Sequence, residues 1–202
     1  MLAIMFISSV NAAEPDYGFY SEVASILPAG KLTLDLWNST GLDVEETDSR
    51  FRIGLGRTEA WLTHQTIGAK FLVRPRMAIF SQAGFHSGRS PIVELGAVAG
   101  ISDSFGDVSL SGTLMDRMGV LGMQVAGIAR FRLPIVDRYG PVYAVGEGRL
   151  RDHVESGFFA TAGLRWVIRQ QLTLDVWLIS TVKTSHDLMY ATPAAVRVSF
   201  SL

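Results

Sequence analysis

The residues of widest chemical range in this 202-residue chain are four histidines, His64, His86, His153 and His186. Two stand beside a carboxylate, in Asp152-His153 and His186-Asp187. An imidazole next to a carboxylate can move protons as a general acid–base pair, which would make a surface hydrolase using His153 or His186. The spacing argues for something plainer. No His-x-x-x-His pair and no nucleophile motif accompanies the histidines, and such a site needs apposed geometry as well as the right residue types. They are read as polar loop residues. No catalytic residue, no metal ligand and no cofactor is expected, and the chain is expected not to be an enzyme.

A second set carries more information: Arg50, Arg52, Lys70, Glu94, Arg130, Arg132, Glu147, Arg165, Asp175 and Arg197. Each lies on the polar side of a stretch in which apolar and polar residues alternate. In 121–133, Leu121, Met123, Val125, Ala129, Phe131 and Leu133 share one face, while Gln124, Arg130 and Arg132 share the other. Period two is the signature of a strand, because successive side chains point to opposite faces. A tilted strand of about ten residues is long enough to cross a bilayer. A row of such strands, apolar outside and polar inside, makes a transmembrane barrel, and the charged set then points into the lumen.

The elements that position those charges follow from the same alternation. Candidate strands run over 17–26, 31–37, 50–57, 66–73, 77–86, 92–101, 107–115, 121–133, 141–151, 158–168, 172–180 and 194–202. The fold class is therefore all-β, an antiparallel up-and-down barrel of about twelve strands, with ten as the alternative, since such barrels take even strand numbers. Register supports it. If Leu164 faces Val176 and Trp166 faces Leu174 on the apolar side, Arg165 falls opposite Asp175, close enough for a cross-strand ion pair. Across Arg74-Pro75-Arg76, Val73 would face Met77 and Phe71 would face Ile79. Gly54, Gly56, Gly146 and Gly148 read as close-packing or bulge positions, because no helix follows them to form a phosphate loop.

Composition agrees. Hydrophobic residues make up 48% of the chain and mean hydropathy is positive, yet no run of eighteen apolar residues exists. A membrane protein without such a run must pair its backbone between strands. The net charge of -1 gives no reason to expect nucleic acid, and the absence of cysteine excludes disulfide and thiolate–metal frameworks. Residues 1–13 read as a signal peptide lacking its basic start, with an apolar stretch over Leu2 to Ile7 and small residues around Val10-Asn11-Ala12. Residues 14–202 then form one barrel domain.

The C-terminal strand Val196-Arg-Val-Ser-Phe200-Ser-Leu202 and the strand–turn–strand Gly163 to Asp175 resemble those of bacterial outer-membrane β-barrel proteins. The final aromatic is Phe200, two residues before the end, whereas that class usually ends on one. The resemblance is at the level of the class. It implies export, location in the bacterial outer membrane, contact with outer-membrane lipid, and the outer-membrane assembly machinery as a partner during biogenesis.

The leading expectation is a porin-like barrel with a structural or passive small-solute pore role and a polar, mildly anion-favouring lumen. Small barrels are filled by their own side chains while wide ones hold channels, and the bulky inward candidates Trp37, Phe80 and Trp177 lean towards a filled one. The alternative is a soluble exported barrel that binds an apolar ligand, with its apolar face turned inward.

Overall fold

A computed structural model describes residues 23–40, 45–63, 66–84, 92–103, 105–117, 119–134, 140–152, 157–169, 171–182 and 189–202. It contains twelve strands: β1 (Leu32–Thr40), β2 (Glu45–Leu55), β3 (Thr58–Thr63), β4 (Thr66–Arg74), β5 (Met77–Gly84), β6 (Ile92–Ser102), β7 (Gly106–Arg117), β8 (Val120–Leu133), β9 (Val142–Asp152), β10 (Gly157–Arg169), β11 (Leu172–Val182) and β12 (Met189–Ser201). Each pairs antiparallel with its sequence neighbours. β1 also pairs with β12, from Thr33 opposite Ser201 to Thr40 opposite Ala194, which closes the sheet into a barrel.

The pleat sorts the side chains as the alternation requires. Along β8, Met123 and Val125 are exposed on the outer face, while Gln124, Ala126 and Ile128 are buried. Leu95, Leu110 and Leu121 are 58%, 62% and 76% exposed, whereas Arg165, Lys70 and Asp175 are 1%, 1% and 0% exposed. This is the inverse of a water-soluble protein. Each large aliphatic side chain left in water forgoes about 1.5–3 kcal/mol of burial, so a continuous outer belt of them belongs against an apolar medium. The arrangement also removes the soluble ligand-binding barrel, which needs its apolar face inside.

Two details differ from expectation, each for a local reason. The twelfth strand is β3, and the 17–26 candidate is not a strand where it is described: residues 23–28 lie off the sheet, and residues 17–22 fall outside the described residues. β3 is only six residues long and follows a two-residue turn in which Gly56 has φ 76°, so the stretch 50–57 runs on past its true end at Leu55. Second, β-bulges lie between Leu72 and Arg74 and between Val167 and Arg169. They make Arg74 rather than Val73 the partner of Met77, and Arg169 rather than Ile168 the partner of Leu172, while leaving Phe71 opposite Ile79 and Arg165 opposite Asp175. A bulge inserts one extra residue and increases local twist, which suits the tight ends of a small barrel.

The outer face makes a direct prediction. Leu164→Arg, at the middle of β10, should destabilise the barrel by about 2–4 kcal/mol in denaturant titrations of folding into phospholipid vesicles. A change within experimental error would mean that Leu164 does not face lipid.

Candidate functional site

The interior of the barrel is the candidate site. On one side, five adjacent-strand residues form a buried polar cluster: Thr33 and Asp35 of β1, Arg52 of β2, Glu59 of β3 and Lys70 of β4. Arg52 Nη1 donates to Glu59 Oε1 at 3.0 Å and Arg52 Nε donates to Thr33 Oγ1 at 3.2 Å. Arg52 Nε also lies 3.7 Å from Asp35 Oδ2, and Lys70 Nζ lies 3.8 Å from Glu59 Oε1. Register creates this cluster, because Thr33 faces Arg52 and Glu59 faces Lys70.

A second cluster spans β10, β11 and β12. Asp175 stands between two cations, with Arg165 opposite it on one side and Arg197 on the other. Arg165 Nε donates to Asp175 Oδ1 at 2.9 Å and Nη2 donates to Oδ2 at 3.2 Å, a bidentate grip. Arg197 Nε donates to Oδ2 at 2.8 Å, its Nη2 reaches the same oxygen, and its guanidinium lies 5.8 Å from the centre of the Trp177 ring. Trp177 has no exposure. A third pair, Arg130 Nε and Asp107 Oδ1 at 2.6 Å, is half-buried, with the Arg130 guanidinium 5.0 Å from the Tyr143 ring centre. Gln82 Nε2 donates to Glu94 Oε2 at 2.8 Å.

Beside these clusters the interior holds two apolar groups among further buried polar residues such as Ser111, Thr113 and Gln124. Trp61, Ala78, Phe80 and Val98 form one core group, and Ile128, Val145 and Trp177 another. Two of the rings lie over glycines directly across the sheet: Trp61 faces Gly68 and Phe80 faces Gly96. A Cβ at either glycine would run into the ring opposite it, so glycine there makes room for an aromatic.

The remaining occupant is the chain itself. Before β1 the backbone turns at Gly30, whose φ is 76°, with Gly30 N–H on Gly54 O at 2.9 Å and Lys31 N–H on Pro28 O at 3.1 Å. Residues 23–28 then run back into the barrel. Leu27 N–H donates to Glu59 Oε2 at 2.6 Å, Ala24 N–H donates to Ser109 Oγ at 3.3 Å, and Lys70 Nζ donates to Val23 O at 3.4 Å. Val23 joins the core group of Ile128, Val145 and Trp177, and Ala24 joins that of Trp61, Ala78, Phe80 and Val98. The segment thus touches residues of strands on both sides of the barrel.

Of the ten charged residues singled out by sequence, Arg52, Lys70, Glu147, Arg165, Asp175 and Arg197 are buried. Arg50, Glu94 and Arg130 are half-buried, and Arg132 is exposed near the turn end of β8. Sequence reasoning missed three carboxylates that bind them: Asp35, Glu59 and Asp107. Glu59 was hidden because β3 went unread, although the alternation of Glu59, Trp61 and Thr63 against Ala60 and Leu62 carries the strand signal. The side chain of Trp37 and all four histidines lie outside the described residues.

No family model matches the chain, and no curated protein matches its sequence. Among solved structures, the KdgM porin matches with a TM-score of 0.53 at 9% identity, over 85% of this chain and 97% of that one. This chain has the fold of an outer-membrane β-barrel. The N-terminal β-barrel domain of Pseudomonas aeruginosa OprF is also matched, with a TM-score of 0.28 at 9% identity, over 86% of this chain and 98% of that one. At such identity the likeness is one of fold alone.

Within this outer-membrane barrel fold, two buried arginines grip Asp175 from neighbouring strands. Asp175→Asn should leave two buried cations facing a neutral amide and destabilise the protein by about 3–5 kcal/mol in urea titrations. A loss below about 1 kcal/mol would mean that Arg165 and Arg197 find water or other acceptors there.

Proposed function

We propose that this chain is a bacterial outer-membrane protein with a structural, non-enzymatic role, whose lumen is closed to bulk solute while residues 23–28 occupy it. The observation that carries the reading is the segment's position: Val23 and Ala24 pack into both apolar core groups, and Glu59, Lys70 and Ser109 bind its backbone. A barrel filled by its own side chains and by its own chain leaves no wide aqueous path. The outer apolar belt supports outer-membrane lipid as its surroundings. The exposed Phe200 on the final strand supports recognition of that strand by the outer-membrane assembly machinery.

Passive passage of small polar solutes is a second reading. It is favoured by the half-buried Glu94 and Arg130 and the exposed Arg132, whose partial exposure fits wetted, charged positions toward the two ends of the lumen. Lumen charges of that kind tune ion selectivity.

Planar-bilayer recording of the refolded, intact protein separates the two. The closed reading predicts no steady ohmic channel at moderate voltage. A stable open conductance with anion preference would overturn it in favour of the passive pore.

A further inference from the structure

We propose that the lumen is a peptide-binding site, for which the chain's own residues 23–28 are the tethered resident ligand and which accepts an uncharged peptide of the same chemistry in its place. This deepens the closed-lumen reading and rests on it.

The site is built for a backbone. Glu59 and Ser109 accept from the N–H groups of Leu27 and Ala24, and Lys70 donates to the carbonyl of Val23. The wall thus offers both acceptors and a donor to one peptide, from three different strands. None of the three contacts uses a charge or a side-chain functional group of the segment, so they are made to main chain alone. At Gly54 a Cβ would collide with the carbonyl oxygens of Leu27 and Pro28, so the wall has been pared back to let a second main chain lie against it.

Side chains then select. The position of Ala24 is enclosed by Trp61, Ala78, Phe80 and Val98. A Cβ at Gly100 would lie 3.0 Å from the Ala24 methyl, so little more than a methyl fits there. The neighbouring position takes a β-branched residue, Val23, against Ile128, Val145 and Trp177. The preferred ligand is an uncharged peptide with a branched aliphatic residue followed by a small one.

The occupancy is reversible by construction. The segment adds no strand to the sheet and makes no ion pair through its own side chains; the contacts named above are hydrogen bonds and apolar packing. What holds it in place is the short tether through the Gly30 turn, which gives it a high effective concentration inside the barrel. It enters from the end where Leu202 pairs with Leu32.

The chain has no cysteine, so one introduced thiol can report on the segment. In Ala24→Cys the thiol takes the small pocket and should react slowly with a water-soluble maleimide. Adding a saturating capped synthetic peptide, acetyl-Val-Ala-Ser-Ile-Leu-Pro-amide, should raise that rate at least tenfold by displacing the segment. The same peptide with Arg in place of its Ala should leave the rate unchanged. A rate unaffected by the first peptide, or raised equally by both, would overturn the proposal. In a second arm, Ala24→Arg evicts the segment by size. This full-length variant should bind the fluorescently labelled peptide at least tenfold more tightly than the unmodified protein, by anisotropy in detergent. Equal affinity, or none in a folded variant, would overturn it too. Different migration of boiled and unboiled samples verifies a closed barrel in each case, so a loss of fold is told apart from a loss of binding.

Discussion

Closure of the backbone hydrogen-bond ladder is the constraint on which the rest depends. In an apolar medium no water is present to satisfy a bare N–H or C=O, and every unpaired one costs several kcal/mol. The meander from β1 to β12 satisfies its inner strands at once, but its two edges remain until β1 meets β12, from Thr33 opposite Ser201 to Thr40 opposite Ala194. Leu32 and Leu202 extend that seam, each donating to the other's carbonyl. Once the seam exists, the pleat alone decides which residues meet lipid and which meet each other.

Inside so small a ring, charges have few choices. The sheet places Asp175 between Arg165 and Arg197, and Glu59 beside both Arg52 and Lys70, so each cation finds a carboxylate on a neighbouring strand. The paired charges remain near the wall. The centre is left to Trp177, Phe80, Trp61 and the returning segment, which explains how one barrel holds both a polar lining and an apolar core. Glu59 and Lys70 serve both roles, because each binds a charged partner and a backbone group of residues 23–28.

From Thr66 onward the architecture was legible in the sequence because each strand carries a two-residue period and each hairpin a polar turn. The opposition of Arg165 and Asp175 was readable for the same reason: only one register satisfied the apolar face and the charges together. Three things were hidden. The bulges at Val73 and Ile168 shift the pairing next to the turn, where too few residues follow for the break in alternation to show. β3 is short and begins straight after the Gly56-Arg57 turn, so it merged with the stretch before it. Residues 23–28 are apolar enough to suggest a strand. A strand in the wall and a segment within the lumen bury similar residues, and only the three-dimensional closure around Ala24 tells them apart.

The central claim is that the barrel is apolar outside and polar inside, and nitroxide spin labels at Met123, Leu164 and Val198 test it most directly. In liposome-reconstituted protein, all three should collide readily with lipid-soluble oxygen and be shielded from a water-soluble nickel chelate. Labels at these sites that are quenched by the chelate, or that are immobilised and shielded from both reagents within a protein core, would contradict the account.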